Sequence, residues 1–104
     1  MASTRLDILK NMVGQNPNDS FSRYGLAMEY RSAGNLEAAA DEFRALVAAD
    51  PNYTAAYYHY GQTLEALGRE EQARAVYVAG IEATTRKGDR HALSELQAAL
   101  DLLG

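Results

Sequence analysis

Two histidines and one acidic pair are the side chains of this sequence best suited to acid–base or metal chemistry. His59 and His91 lie far apart in the chain, and neither has a second histidine at the spacing of a metal-binding helix. Glu70 and Glu71 fall at the start of a predicted helix, where the helix dipole favours negative charge. Glycine-rich phosphate loops and serine nucleophile elbows are also missing from the sequence. The sequence therefore predicts no catalytic residue, no metal site and no cofactor, and a protein that is not an enzyme.

Aromatic side chains offer a second kind of chemistry, which is the stacking of rings on a ligand. The stretch YTAAYYHYGQ, residues 53–62, holds four of the seven tyrosines together with His59. Rings at this density either form a binding surface or fill a core with tyrosine. Which tyrosine does which depends on the elements that carry them.

Composition and charge exclude several classes of partner. The 104 residues suit one domain, and a hydrophobic content of 47% is typical of a folded chain. The net charge is −4 and the ten basic residues are scattered, which disfavours binding to nucleic acid. No apolar run is long enough to span a membrane, and Arg5, Asp7 and Lys10 interrupt any signal-peptide core. Cysteine is absent, which excludes disulfides and thiolate sites and makes a cytoplasmic location the default expectation.

The chain repeats itself with a period of 34 residues, the distance between its only two prolines, Pro17 and Pro51. A period of this length indicates units that stack on one another to bury a continuous core. The same offset relates Tyr24 to Tyr58, Ala27 to Gly61, Gly34 to Gly68, Glu37 to Glu71, Ala39 to Ala73, Phe43 to Tyr77 and Val47 to Ile81.

The residues at this period resemble the tetratricopeptide repeat (TPR) family. The segment YGLAMEYRSAGNLEAAADEFRALVAADP supplies the family's small, aromatic, turn-glycine and proline positions, and YYHYGQTLEALGREEQARAVYVAGI supplies most of them again. The resemblance implies an all-α fold, a right-handed α-solenoid of antiparallel helix pairs with about six helices. We predict a single domain over residues 1–104, divided into a half-repeat helix at 3–14, repeats at 20–53 and 54–87, and a capping helix at 89–103.

Small residues are predicted to bring paired helices close together. Ala39 and Ala73 recur at one position of the repeat, and Gly61 stands where the first repeat has alanine. Beside them Phe43 and Tyr77 are large enough to fill the remaining space. These residues therefore predict the core of each repeat.

Helix ends are predicted from glycine, serine and threonine. Gly34 and Gly68 suit the left-handed conformation that closes a helix. Ser20 and Thr54, which are also 34 residues apart, are predicted as N-caps. Thr85 replaces the proline that ends the first repeat, so the junction into the last helix is the part of the register that the sequence determines least.

The repeat register divides the tyrosines into two groups. Tyr58 is predicted to face the concave surface and to stack beside Tyr24, with His59 at the edge and with Ala92 and Leu96 added by the last helix. The other group takes interior positions and should pack in the core: Tyr30, Tyr57, Tyr60 and Tyr77. The concave surface is predicted to form a binding groove from Phe21, Tyr24, Met28, Arg31, Tyr58, Gln62 and Glu65.

These residues predict a non-catalytic protein–protein interaction module that binds a peptide or protein segment in the groove. Rigid aromatic rings beside a flexible methionine are typical anchors for such partners. Some TPR proteins hold a carboxylate with Lys, Asn and Arg, but Tyr24, Met28 and His59 stand at the corresponding positions, so that clamp does not carry over. The alternative is a self-associating scaffold, a homodimer that buries the same apolar groove or the terminal helices. No nucleic-acid or membrane partner is predicted.

Overall fold

The computed structural model describes residues 4–104 and contains six α-helices in this range, with no strand. The helices run α1 Arg5–Gln15, α2 Ser20–Ser32, α3 Leu36–Ala49, α4 Ala55–Ala66, α5 Glu70–Lys87 and α6 Arg90–Leu103. The predicted half-repeat helix at 3–14 begins outside the described residues, and the helix found there is α1. None of the six helices is long and apolar enough to cross a membrane.

The helices form two layers of a curved stack. Each helix packs against the next one in the chain, and α2 also contacts α4, as α4 contacts α6. Within the described residues, α1, α3 and α5 make no such contacts with one another. The helices α2, α4 and α6 form a layer whose neighbours touch, whereas α1, α3 and α5 form a layer whose helices stand apart. The stack therefore curves, with α2, α4 and α6 on its inner side. The predicted all-α solenoid is confirmed.

The closest approach between helices occurs where glycines of α4 and α5 face aromatic side chains. A β-carbon added to Gly61 would lie 2.1 Å from Cε1 of Tyr77, whose ring is fully buried. A β-carbon added to Gly80 would lie 2.6 Å from Cβ of Tyr57. Each helix thus provides a gap for an aromatic side chain of the other, which agrees with the prediction that small residues bring the paired helices close and that Tyr77 fills the space beside them.

A second cluster fills the space between α2, α3 and α4. Phe43 is fully buried, and its ring stacks on Tyr60 with a centroid distance of 6.0 Å. Leu46 is also buried. The four predicted interior tyrosines divide into two that are buried, Tyr57 and Tyr77, and two that are half-buried, Tyr30 and Tyr60.

The turn glycines adopt the predicted conformation, but the predicted serine and threonine caps do not form. Gly34 and Gly68 have φ angles of 82° and 77°. The N-cap of α2 is Asp19 and not Ser20. The carboxylate of Asp19 accepts a hydrogen bond from the backbone N–H of Phe21. Thr54 stands at the N-cap of α4 without a side-chain cap bond.

The hydroxyl groups of Ser20 and Thr54 are used between elements instead. Ser20 donates a hydrogen bond to the Asp50 carboxylate at 2.8 Å, and Thr54 donates one to the Asp89 carboxylate at 2.9 Å. Both acceptors lie just after an outer-layer helix. Ser20 and Thr54 therefore attach the starts of α2 and α4 to the ends of α3 and α5, the outer helices packed against them.

The second helix of the second repeat, α5, is longer than its counterpart α3 because Thr85 stands where the first repeat has a proline. Helix α3 ends at Ala49 before Pro51 and has 14 residues, whereas α5 continues to Lys87 and has 18 residues. It stops at Gly88, whose φ is 76°, and Asp89 then caps α6. The extra turn follows from the missing proline, since a proline would have removed a helix hydrogen bond there.

We expect Gly61→Ala to lower the free energy of unfolding by roughly 1–3 kcal/mol, the usual cost of overpacking a filled core. Gly14→Ala in α1 is the matched control, because a β-carbon there meets no atom within 4 Å. That change should be neutral or should stabilise by up to about 1 kcal/mol through helix propensity. Urea unfolding of both variants measures the difference, and equal stabilities would contradict the close packing at Gly61.

Candidate peptide-binding groove

The α2 part of the inner face forms a cleft with α1. Phe21, Tyr24 and Met28, one turn apart on α2, line a cavity of about 460 Å³ together with Arg5 of α1. Phe21 is 74% exposed, whereas Tyr24 and Met28 are half-buried. The structure thus brings these three predicted groove residues together in one cleft.

A second cleft lies between α4 and α6. Tyr58 and Gln62, both predicted groove residues, line a cavity of about 300 Å³ with Leu102 and Glu95. Leu102 is 89% exposed and was not predicted as a groove residue. The sequence indicated it only indirectly: Leu93, Leu96, Leu100 and Leu103 lie along one side of the last helix, and Leu102 lies off that side.

Leu96 was predicted to add to the groove, and this was wrong. Its side chain is fully buried and lies beneath α5, where a β-carbon on Gly80 would be 2.9 Å from its Cδ1 atom. Because Leu96 is needed to cover the end of the core, it cannot also face the groove. Ala92, the other residue predicted there, is half-buried.

His59 lies between the two tyrosines that were predicted to stack directly. Its ring centroid is 6.2 Å from that of Tyr24 and 5.4 Å from that of Tyr58, whereas the two tyrosines do not pair with each other. The sequence prediction placed His59 at the edge of the groove. Successive side chains of an α-helix point about 100° apart. His59 directly follows Tyr58 in α4, so its side chain points in a different direction, toward α2.

Tyr24 is held by the core beneath it. Its ring contacts Phe43 with a centroid distance of 6.4 Å and Tyr53 with a centroid distance of 5.4 Å. Burial raises the pKa of the Tyr24 hydroxyl above its ordinary value. The residue therefore supports the repeat as well as lining the inner face.

Arg31 and His59 form a polar pair in the middle of the inner face. The guanidinium Nη1 atom lies 3.3 Å from Nδ1 of His59, and because arginine can only donate, this nitrogen is the acceptor of a neutral ring. Burial and the charge of Arg31 lower the pKa of His59, while Glu95 acts in the opposite direction. His59 is therefore neutral at neutral pH.

Gln62 and Glu65 are tied to the core by the hydroxyl group of Tyr77. That hydroxyl donates to the Glu65 carboxylate and accepts a hydrogen bond of 2.6 Å from the Gln62 amide. Gln62 also donates to Glu65 at 3.1 Å. Burial and the hydrogen bond to Glu65 raise the pKa of Tyr77 well above its ordinary range. Gln62 and Glu65, both predicted groove residues, thus provide the hydrogen-bond partners of the Tyr77 hydroxyl group.

No group of three or more potential metal ligands occurs in residues 4–104. The two clefts and the surface between them carry aromatic rings, the cations Arg5 and Arg31, and the carboxylates of Glu29 and Glu95. A curved stack of helix pairs with a 34-residue period and an inner face of this kind defines a helical repeat protein.

Residues 30–100 match the tetratricopeptide repeat family, and the chain belongs to that family. A TPR repeat-containing protein of Pseudomonas aeruginosa is 29% identical over 92 residues, which are 88% of each chain. The tetratricopeptide repeat domain protein of Salinibacter ruber is 40% identical, with a TM-score of 0.79 over 85% of this chain and 89% of that one.

The fold is also found in PcrH, whose crystal structure contains the chaperone binding region of PopD. The TM-score is 0.88 over 94% of this chain and 74% of that chain, at 16% identity. At this identity the similarity concerns the fold alone.

The pKa of His59 is expected to respond in opposite directions to two neutralising substitutions. Arg31→Gln should raise it by removing a nearby positive charge, and Glu95→Gln should lower it further. Because the pKa is lower in the folded than in the unfolded protein, the stability from neutral His59 is present above about pH 6.5 and is lost as the pH falls. NMR titration of the ring protons measures both variants, and an unchanged pKa in Arg31→Gln would contradict the contact.

Proposed function

We propose that this protein is a non-catalytic interaction module whose inner face, formed by α2, α4 and α6, binds a segment of another protein. The observation that carries the proposal is the presence of exposed apolar side chains at both clefts of that face. Phe21 is 74% exposed and Leu102 is 89% exposed. Large apolar residues beside concave surfaces are typical of protein-binding sites.

The shape of the inner face favours a peptide over a flat protein surface. Tyr58 and Tyr24 stand on adjacent helices, and each lines a different cleft. An extended or helical segment that crosses α2, α4 and α6 would place one apolar side chain in each cleft. The fold shared with PcrH, which is described with a bound region of PopD, supports this mode of binding.

The charge of the chain supports a protein partner. A net charge of −4 with scattered basic residues repels a phosphate backbone. The binding groove of Phe21, Tyr24, Met28, Arg31, Tyr58, Gln62 and Glu65 and the cytoplasmic location stay predictions from the sequence.

Selection from a phage-displayed library of random peptides tests the groove. The double variant Phe21→Ala with Leu102→Ala should bind the selected peptides roughly tenfold more weakly or worse, since it removes apolar anchors from both clefts. Because both side chains are exposed, stability should change by less than about 0.5 kcal/mol. Fluorescence anisotropy with labelled peptides measures the affinity.

Val78→Ala is the matched control, since Val78 is an apolar residue of the outer-layer helix α5 and is 44% exposed. It should leave the affinity unchanged. Selected peptides that bind the double variant and the wild type equally would exclude the two clefts as the site, and a selection that enriches no peptide would refute the proposed function.

Self-association is the second candidate, and an apolar strip on α1 favours it. Ile8 and Met12, one turn apart, are 51% and 43% exposed. If this strip pairs two copies, the wild type should sediment as a dimer at micromolar concentration, and Ile8→Glu with Met12→Glu should sediment as a monomer. A monomeric wild type in sedimentation velocity would exclude this candidate.

A further inference from the structure

The middle of the inner face contains a cation without an anionic partner. Five of the other seven arginines, at positions 5, 23, 44, 69 and 74, lie within 4 Å of a carboxylate. The remaining two, Arg86 and Arg90, have no such partner among residues 4–104 but are exposed to water. Arg31 has no carboxylate at this distance among residues 4–104, although it is half-buried. Charged groups taken partly out of water are normally paired, so an unpaired one within a candidate binding surface indicates a partner that supplies the anion.

The contact with His59 orients the guanidinium group of Arg31 and uses only part of its hydrogen-bonding capacity. The guanidinium presents five N–H groups, and the structure assigns one contact, at 3.3 Å, to His59. His59 in turn lies between the rings of Tyr24 and Tyr58, which limits its movement. A planar donor group held in this way matches the two oxygens of a carboxylate.

Both clefts are connected to this cation through His59. Tyr24 lines the cleft toward α1, Tyr58 lines the cleft toward α6, and both rings contact His59, the partner of Arg31. A segment lying across the face would therefore meet the apolar side chains of the α1 cleft, where Arg5 is paired with Glu29, then Arg31, and then the apolar side chains of the α6 cleft. Glu95 lies at the α6 cleft and makes that end less favourable for an anion.

We infer that the groove recognises a peptide segment in which an acidic residue stands between two apolar residues, with its carboxylate bound by Arg31. This inference rests on the proposed function, because it specifies the partner of the same inner face. His59 acts as a positioning residue that holds the guanidinium. The apolar residues of the peptide supply contact area, and the acidic residue supplies the specificity.

The same phage selection, read as sequence enrichment, tests the inference. Wild-type protein should enrich Asp or Glu between apolar residues relative to the unselected library. Arg31→Gln should retain the apolar residues and lose the acidic preference, and Arg31→Glu should reverse it toward Lys or Arg. Arg44→Gln is the matched control, because Arg44 is an exposed arginine of α3 paired with Asp41.

Affinity measurements with one selected acidic peptide and its Asp→Asn or Glu→Gln counterpart complete the test. The acidic peptide should bind wild-type protein roughly 10- to 100-fold more tightly than its amide counterpart, as expected for hydrogen bonds to a charged group. In Arg31→Gln the two peptides should bind equally. His59→Ala should reduce the difference without abolishing it.

Two results overturn the inference while leaving the proposed function intact. One is a set of selected apolar peptides without acidic enrichment, which would mean that Glu95 neutralises Arg31 in solution. The other is an acidic preference that persists in Arg31→Gln. A selection that enriches no peptide at all would instead refute the inference and the proposed function together.

Discussion

The close contact between α4 and α5 is the constraint on which the inner face depends. Gly61 leaves room for the ring of Tyr77, and Gly80 leaves room for Tyr57. Because the Tyr77 ring passes under Gly61, its hydroxyl group emerges beside Gln62 and Glu65. A core contact between two helices thus determines the positions of polar groups on the surface.

The same packing extends to α6 and so determines where α6 lies on the inner face. The side chain of Leu96 lies beneath Gly80, which holds α6 against α5 while α6 also contacts α4. The longer α5, with Gly88 and Asp89 after it, sets the position at which α6 begins. Leu102 reaches the cleft beside Tyr58 as a result. The inner face is therefore built by core residues that do not themselves belong to it.

The 34-residue period, together with the resemblance to the TPR family, predicted the fold. The 34-residue offset identified the small and large residues of the core, and the turn glycines took their predicted conformation. The site was harder to predict, since a register assigns faces to residues but does not give the angle between neighbouring helices. That angle decided that His59, and not Tyr58, contacts Tyr24.

The sequence by itself determined the repeat, the helical class, the turns at Gly34 and Gly68, and the acidic charge, because these follow from local conformation and composition. Only the tertiary structure decided which groups meet across helices. The hydrogen bond from Arg31 to His59, the attachment of Thr54 to Asp89 and the two clefts all join residues from different elements. Such contacts depend on how far and at what angle helices approach, and that distance is set by the combined volumes of side chains in the core.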